Sequence, residues 1–343
     1  MIINDIIHGR VEITEPVIAD LINSKKFQRL KDIAQQGVPE QYIMPTQIPF
    51  PRYDHCIGTM LVVRKLNATL EEQIASLLHD ISHTAFSHLA DAILGSAERE
   101  DFQDKNHHLY FDEGTELATI LEKYGLDPKR ISVPENFSLL EQEQPDICAD
   151  RIDYTTRYWA HKGPAELDFA KRTINSLVVR NGVMLFNNGD IAKEFAQRHM
   201  VWQPEWNGYG GEQYDMSMRW FLFAGALKRA MNEGLVKKED FYETDTFVLD
   251  KLKKSKDPKV VAVFKLLGTK RRLKYSVGGT NAITTIFRKF RYVDPKYIGE
   301  DGKIHKVSDN DDAFNKDIED HRKLNREGVR INGIEGIDVS DYV

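Results

Sequence analysis

The sequence predicts a mainly α protein with a small mixed α+β part at its C-terminal end. Apolar residues recur at helical spacing through most of the first 245 residues. Strand-like alternation is confined to short stretches, chiefly Leu177–Phe186 and the region after Asp245. A third observation organises the rest: the run Leu77-Leu78-His79-Asp80-Ile81-Ser82-His83 sets an adjacent His-Asp pair at the end of an apolar helix. Such a pair is costly to bury without partners, and a divalent metal takes an imidazole nitrogen and a carboxylate oxygen together. Two neighbouring ligands do not close a coordination shell, so further ligands are expected elsewhere in the chain.

A length of 343 residues allows a sizeable core and two lobes, and 41% hydrophobic with 29% charged residues describe an ordinary globular composition. A formal charge of −6 gives no reason to expect tight nonspecific nucleic-acid binding. No apolar run approaches the ~18 residues of a membrane span. Met1–Asp5 lacks the basic-then-apolar signature of a signal peptide, and Cys56 and Cys148 are too few for a disulfide framework, so a cytoplasmic, reducing location is expected.

Taken in order, Ile3–Glu12 reads as a hairpin around His8-Gly9. Glu15–Ser24 and Lys25–Ala34 read as short helices, ended by Gln35-Gln36-Gly37. A loop over Pro45–Pro51 leads into a helix from Arg52 to Leu66 carrying His55 in its first turn, and Glu71–Asp80 is the next helix. Ala97–Asn106 is apolar-poor and expected as a surface excursion. Glu113–Tyr124 is amphipathic. Gln144–Lys162 is expected as a long helix with Asp146, Asp150, Asp153 and Arg157 along one side, which periodicity alone makes a solvated face. Asn181-Gly182 centres a hairpin. Helix resumes over Ile191–Trp202 and Ser217–Met231, separated by an aromatic, glycine-rich loop from Trp202 to Gly211. After Asp245 the pattern changes to short helices at Phe247–Leu252 and Val260–Leu267, strands at Leu273–Val277 and Ile283–Tyr292, and a charged tail from Ser308 to Glu327. This places a boundary between residues 1–245 and 246–343.

His55, His79, His83 and His88 with Asp80 are the best material for a metal centre. His79 and His83 share the i, i+4 spacing of metalloprotease helices, but no Glu follows the first His, which disfavours that class. No cysteine pair offers a structural zinc site, no Gly-rich loop precedes Lys-Ser or Lys-Thr, and Gly-x-Ser-x-Gly is absent. Individually, His55 reads as a surface histidine, His88 as a helix cap and Asp150 as a solvated carboxylate. One His, then His-Asp, then Asp on three separate helices make a four-ligand set.

The order His55, His79-Asp80, Asp150 resembles the H…HD…D signature of the HD-domain phosphohydrolases, and would make the first part an HD-domain helical core. Asn4-Asp5-x-x-His8-Gly9, Phe27-Gln28-Arg29-Leu30 with Gln35-x-Gly37, Arg52-x-x-His55-x-x-Gly58, His79-Asp80-x-x-His83-x-x-Phe86-Ser87-His88 and Asp150-x-x-Asp153-Tyr154 are similar to the deoxynucleoside triphosphate triphosphohydrolase branch. The resemblance covers roughly the first 200 residues. It implies one divalent ion (Mn, Fe or Zn, with Mg also suitable) held by His55, His79, Asp80 and Asp150. It also implies His83 as general acid or base, oriented by Asp91, with His108 or its neighbour His107 as a third member. Arg52 and Arg198 would contact phosphate, Gln35 the sugar 3′-hydroxyl, and Tyr154 would lie along the substrate; a surface salt bridge is the alternative for either arginine. The expected substrate is a deoxynucleoside triphosphate cleaved to deoxynucleoside and triphosphate by a homo-oligomer.

The chain departs from that branch in four places. Tyr158 stands where an Asp holds the sugar, Gln36 where a Leu is usual, and the Tyr-x-His-Lys element is replaced by Trp202-Gln-Pro-Glu-Trp206. Asn4 and Gln28 match parts of a regulatory nucleotide site, but Asn23 and Lys31 do not, which leaves a nucleotide effector open. Tyr158 keeps a nucleoside-monophosphate phosphatase or a phosphodiesterase in play. A nonhydrolytic nucleotide or nucleic-acid binder has only Lys270-Arg271-Arg272 in its favour.

Overall fold

The computed structural model describes residues 1–95, 101–207 and 214–343, without the side chains of 203–207 and 310. The elements follow from short-range signals. Strands β1 (Ile2–Asp5) and β2 (Gly9–Glu12) pair antiparallel, with Gly9 at φ +74° turning the corner. Helices α1 (Pro16–Asn23) and α2 (Lys25–Arg29) follow; Pro16 opens the first, and Ser24, capping the N–H of Phe27, opens the second. The long α3 (Arg52–Lys65) buries residues on every side, and α4 (Leu70–Leu78) packs along it after a Thr69 cap.

Short helices α5 (Asp91–Leu94), α6 (Phe102–His107), α7 (Glu116–Lys123) and α8 (Pro128–Ile131) lead to α9 (Ala149–Ala160), which lies against α3 and α10 (Pro164–Asn175). The hairpin β3 (Leu177–Arg180) and β4 (Val183–Phe186) turns at Asn181-Gly182 as expected. Helix α11 (Gly189–Asn207) runs past Trp202, so the loop expected there is helix as far as Asn207; residues 208–211 lie outside the described residues.

Helix α12 (Tyr214–Asn232) is buried nearly all round, and α13 (Asp245–Leu252) and α14 (Pro258–Leu267) follow. The last part holds β5 (Tyr275–Val277), β6 (Thr284–Ile286), β7 (Lys296–Ile298), β8 (Ile304–Lys306), α15 (Asp312–Glu327) and β9 (Val329–Ile334). One sheet has the order β3-β4-β7-β8 and another β5-β9-β6. Of the strand expected over Ile283–Tyr292 only Thr284–Ile286 pairs; the rest is irregular chain. The charged tail is the amphipathic helix α15, with Phe314 and Ile318 one turn apart on the core. The fold is mainly α with a small α+β C-terminal part.

Three apolar clusters hold these elements. One joins α1, α2, α3, α4 and α7 through residues such as Phe27, Met60 and Leu77; a second surrounds α9 and α11. The third packs Val38, Ala85 and Phe86 against α12, α13, α14 and β9, so chain on both sides of Asp245 shares one core. No helix of the described residues is long and apolar enough to cross a membrane.

Candidate metal centre

Three helix ends converge. His55 lies in the first turn of α3, His79 caps the C-terminus of α4 with Asp80 next, and Asp150 lies in the first turn of α9, where the helix dipole favours a carboxylate. His55 Nε2 stands 3.0 Å from Asp150 Oδ1, 3.2 Å from His79 Nε2 and 3.6 Å from Asp80 Oδ2. His79 Nε2 is 3.4 Å from Asp150 Oδ1 and 3.6 Å from Asp80 Oδ1. Ligands about 2.0–2.2 Å from an ion in tetrahedral or octahedral array lie about 3.0–3.5 Å apart, so His55, His79 and Asp80 group closely enough to share one divalent ion, with the Asp150 carboxylate against both imidazoles. The ring orientations fit as well. His55 Nδ1 contacts Asp153 Oδ2 at 2.9 Å and His79 Nδ1 contacts the Ser76 carbonyl at 2.8 Å, which leaves the two Nε2 lone pairs facing each other.

Burial alone would lower the pKa of His79, but the Asp80 and Asp150 carboxylates outweigh it and raise it to about 9. His55 is raised against burial in the same way, by Asp150 and Asp153. In the metal-free protein a proton therefore occupies the ground an ion would take. Asp150 is held below its ordinary range, despite burial, by the two imidazoles.

Asp153 and Arg157, expected on a solvated face, are 0% and 2% exposed. Arg157 binds both carboxylate oxygens of Asp153 at 2.9 Å and Asp5 Oδ2 at 2.8 Å, tying the N-terminal hairpin to His55. Helix α3 makes room with Gly58, where a Cβ would meet the Asp153 carboxylate and the Arg157 guanidinium at 1.9 Å.

The loop after Asp80 is pinned from outside. Arg29 donates to the carbonyls of Ile81 and His83, and the buried Asp245 carboxylate accepts from the N–H groups of Ala34 and Phe86 at 2.9 and 2.7 Å. Phe86 and Ser87 sit at φ +63° and +48°, a strained pair that turns the Ser87 hydroxyl onto Arg52 Nε at 2.8 Å. The buried Arg52 also pairs through Nη1 with Asp80 Oδ2, while its Nη2 has no hydrogen-bond partner among the described residues.

A cavity of about 270 Å³ opens beside these groups, lined by Gln35, Arg52, His79, Asp80, His83, His88, Asp150 and Tyr154 among others. Gln35 Oε1 is buried there without a partner among the described residues. Three of the expected residues stand elsewhere, His107 and the Arg198 salt bridge being the alternatives already open. Asp91 does not face His83: its Oδ2 lies 3.3 Å from His88 Nδ1 and its Oδ1 accepts from the N–H of Phe102, whereas His83 Nε2 lies 3.3 Å from Asp80 Oδ1. His108 is exposed, because the last turn of α6 directs His107 inward instead, onto the Ser82 hydroxyl at 3.2 Å. Burial, with the His79 charge, lowers His107 to about 4. Arg198 is no part of the cavity; it pairs with Glu194 one turn away and with Glu166, over the face of Phe169.

Tyr158 is core, against Trp202, while Trp202 itself lines the cavity. The side chain of Trp206 lies outside the described residues. Gln28 is spent on the Ile22 carbonyl, and Lys270–Arg272 are exposed and away from the cavity. Sequence reasoning missed Arg151, Glu141 and the trio Arg288, Lys289 and Arg291 in the cavity wall. Burial and the Asp150 charge raise Glu141 to about 7, against its pairing with Arg151. The basic cluster Arg-Lys-Phe-Arg was the available signal for the trio.

The HD-domain family profile matches residues 52–158, which contain all four convergent donors. The chain is 36% identical over 272 residues to the uncharacterized protein YdhJ of Bacillus subtilis, covering 77% of this chain and 78% of that one. It is 34% identical over 177 residues to the metal-dependent phosphohydrolase cns2 of Cordyceps militaris, covering 52% of this chain and 50% of the relative. It is 29% identical over 206 residues to the deoxynucleoside triphosphate triphosphohydrolase SAMHD1 of Homo sapiens, where the match spans 53% of this chain and 31% of the relative. A crystal structure of a phosphohydrolase from Bacteroides thetaiotaomicron shares the fold, with a TM-score of 0.66 and 17% identity over 95% of this chain and 98% of that one.

Proposed function

The chain belongs to the HD-domain phosphohydrolase superfamily, and on that premise we propose that it is a metal-dependent hydrolase of nucleotides, acting on deoxynucleoside triphosphates to release deoxynucleoside and triphosphate. The observation that carries the reading is the close grouping of His55, His79 and Asp80, with Asp150 against both imidazoles, beside an arginine nitrogen that has no partner among the described residues. These four residues are the proposed ligands. A divalent ion bound there supplies Lewis acidity and lowers the pKa of water to about 7; manganese, iron and zinc suit the donors, and magnesium is also compatible.

The protein's own groups do the rest. Arg52, fixed by Asp80 and Ser87, offers Nη2 to a phosphoryl oxygen. His88, held by Asp91 and facing the cavity, takes the proton role first assigned to His83, and donates to the leaving oxygen. Burial and the Arg52 charge hold His83 well below its ordinary pKa, so it stays neutral and orients Asp80. Gln35 Oε1 accepts from a sugar hydroxyl, and Tyr154 and Trp202 flank the substrate.

A second reading, a nucleoside-monophosphate phosphatase or phosphodiesterase, is favoured by the engagement of Arg198 with two glutamates and the burial of Tyr158 in the core. A panel of deoxynucleoside tri- and monophosphates with Mn²⁺, scored separately for triphosphate and orthophosphate, decides between them. Triphosphate release supports the first reading. Orthophosphate alone supports the second, and silence across the panel from metal-loaded protein rejects both. A homo-oligomer in a reducing cytoplasm completes the proposal; both cysteines are buried and free.

A further inference from the structure

Asp245 begins α13, at a position where a carboxylate ordinarily caps the N–H groups of its own helix. That task falls to the preceding Thr244, whose hydroxyl oxygen accepts from the N–H of Phe247 at 3.3 Å. Asp245 reaches outward instead. Both of its oxygens engage distant backbone, Oδ2 the N–H of Ala34 and Oδ1 that of Phe86. Its neighbours make the same two junctions. The Thr246 hydroxyl donates to Asp32 at 2.8 Å, and Arg29 donates to the Glu243 carbonyl at 3.0 Å. The N–H of Ala85 donates to the Phe241 carbonyl at 2.7 Å.

The two stretches held in this way are the ones that fix Arg52. The Ala34 carbonyl accepts from the Ser87 hydroxyl at 2.7 Å, and Ser87 Oγ accepts in turn from Arg52 Nε at 2.8 Å. The N–H of Arg52 donates to the Ile33 carbonyl at 2.9 Å. Asp245, Ala34, Ser87 and Arg52 thus form a continuous chain of hydrogen bonds. Phe86 closes it into a ring, being bonded to Asp245 and joined by a peptide bond to Ser87. Ala34 is also the root of the turn, closed by its carbonyl on the N–H of Gly37 at 3.3 Å, that carries Gln35 to the cavity. Burial pushes the Asp245 carboxyl up to about 7, although both N–H groups favour its charged form. A carboxylate is costly in that place, and what it secures is the position of two backbone segments.

We propose that Asp245 is a positioning residue for phosphate binding: acting through Ala34, Phe86 and Ser87, it sets the Arg52 guanidinium from outside the cavity. Asp245 is no part of the cavity lining, so α13 completes the phosphate site without touching what binds there. The role rests on the hydrolase reading for the phosphate it serves; the hydrogen-bonded ring does not.

The test is calorimetric binding to the full chain, first of Mn²⁺ and then of orthophosphate at saturating Mn²⁺. Asp245→Asn keeps the shape but offers one acceptor oxygen to two N–H groups. It should bind Mn²⁺ within about twofold of wild type and orthophosphate ~10-fold more weakly. In an Arg52→Ala background the same substitution should weaken orthophosphate no further, as a residue acting only through that arginine requires. Ser87→Ala removes the link between Ala34 and Arg52 and leaves α13 alone. It should reproduce the loss, and it decides the matter if Asp245→Asn does not fold. Orthophosphate affinity within about twofold of wild type in either folded variant overturns the proposal. So does loss of the metal along with the phosphate, or a loss that adds to that of Arg52→Ala. A wild type that binds Mn²⁺ but no orthophosphate strikes the hydrolase reading and this role together; one that binds both, with the variants unchanged, strikes this role alone.

Discussion

Replacing Asp153 with Asn tests the idea that the metal centre is held from behind. Asp153 touches no substrate and is not a proposed ligand; it is fully buried and fixes His55 through Nδ1 at 2.9 Å. Asn keeps the shape and one acceptor oxygen, but removes the charge that makes the far nitrogen of the ring a better donor to an ion. It also leaves the buried Arg157 with Asp5 as its remaining carboxylate. Loss of such an outer carboxylate weakens metal binding by about 10- to 100-fold, or about 1.4–2.8 kcal/mol. Titration of the metal-free variant with Mn²⁺, followed by calorimetry, measures this, with a thermal melt to show that the variant is folded. Asp5→Asn, one step further from the ring, should weaken binding by a smaller factor. A folded Asp153→Asn protein that binds Mn²⁺ within twofold of wild type would refute the reasoning.

The pH dependence follows from the histidines. With His79 raised from 6.5 to about 9 in the metal-free fold, its contribution is fully present below pH 6.5 and is lost as pH rises through 9. At 1.36 kcal/mol per pKa unit this is worth about 3 kcal/mol; denaturant melts of the metal-free protein should show stability falling across that window, and saturating metal should abolish the fall. Gly58→Ala forces a methyl into the Asp153–Arg157 pair and should cost about 1–3 kcal/mol in a urea melt, with weaker metal binding. His88→Ala should lower kcat by about 100-fold or more while retaining the ion, whereas His108→Ala, on the surface, should leave steady-state kinetics within twofold.

How much of this was legible in the sequence varies from residue to residue. His79-Asp80 announces itself, because an ionisable pair in an apolar helix needs a partner, and the distant His55 and Asp150 do meet it. The two hairpins follow from turn residues that act over a few positions. Asp153 and Arg157 were misread because periodicity measures one helix alone. Helix α9 is covered on both sides by α3 and α10, and a buried carboxylate and guanidinium that satisfy each other look from the sequence like a solvated stripe.

The pairing of Asp91 with His88, three residues away, and the inward turn of His107 depend on the local path of the chain, which motif order does not specify. Arg198 matched a phosphate contact by position, yet its guanidinium is engaged by Glu194 and Glu166. The aromatic, glycine-rich composition after Trp202 suggests a loop, but α11 continues to Asn207 beyond the packed Phe195, Met200 and Trp202. Arg288, Lys289 and Arg291 reach the cavity only through tertiary contacts that no short-range pattern encodes.

Metal content and turnover of Asp150→Ala beside wild type test the central claim most directly. Elemental analysis after dialysis against Mn²⁺ should find about one ion per chain in wild type. In the variant the ion and phosphoester hydrolysis should be lost together, while the thermal melt still shows a folded chain. An Asp150→Ala protein that keeps both its ion and its activity would contradict the account.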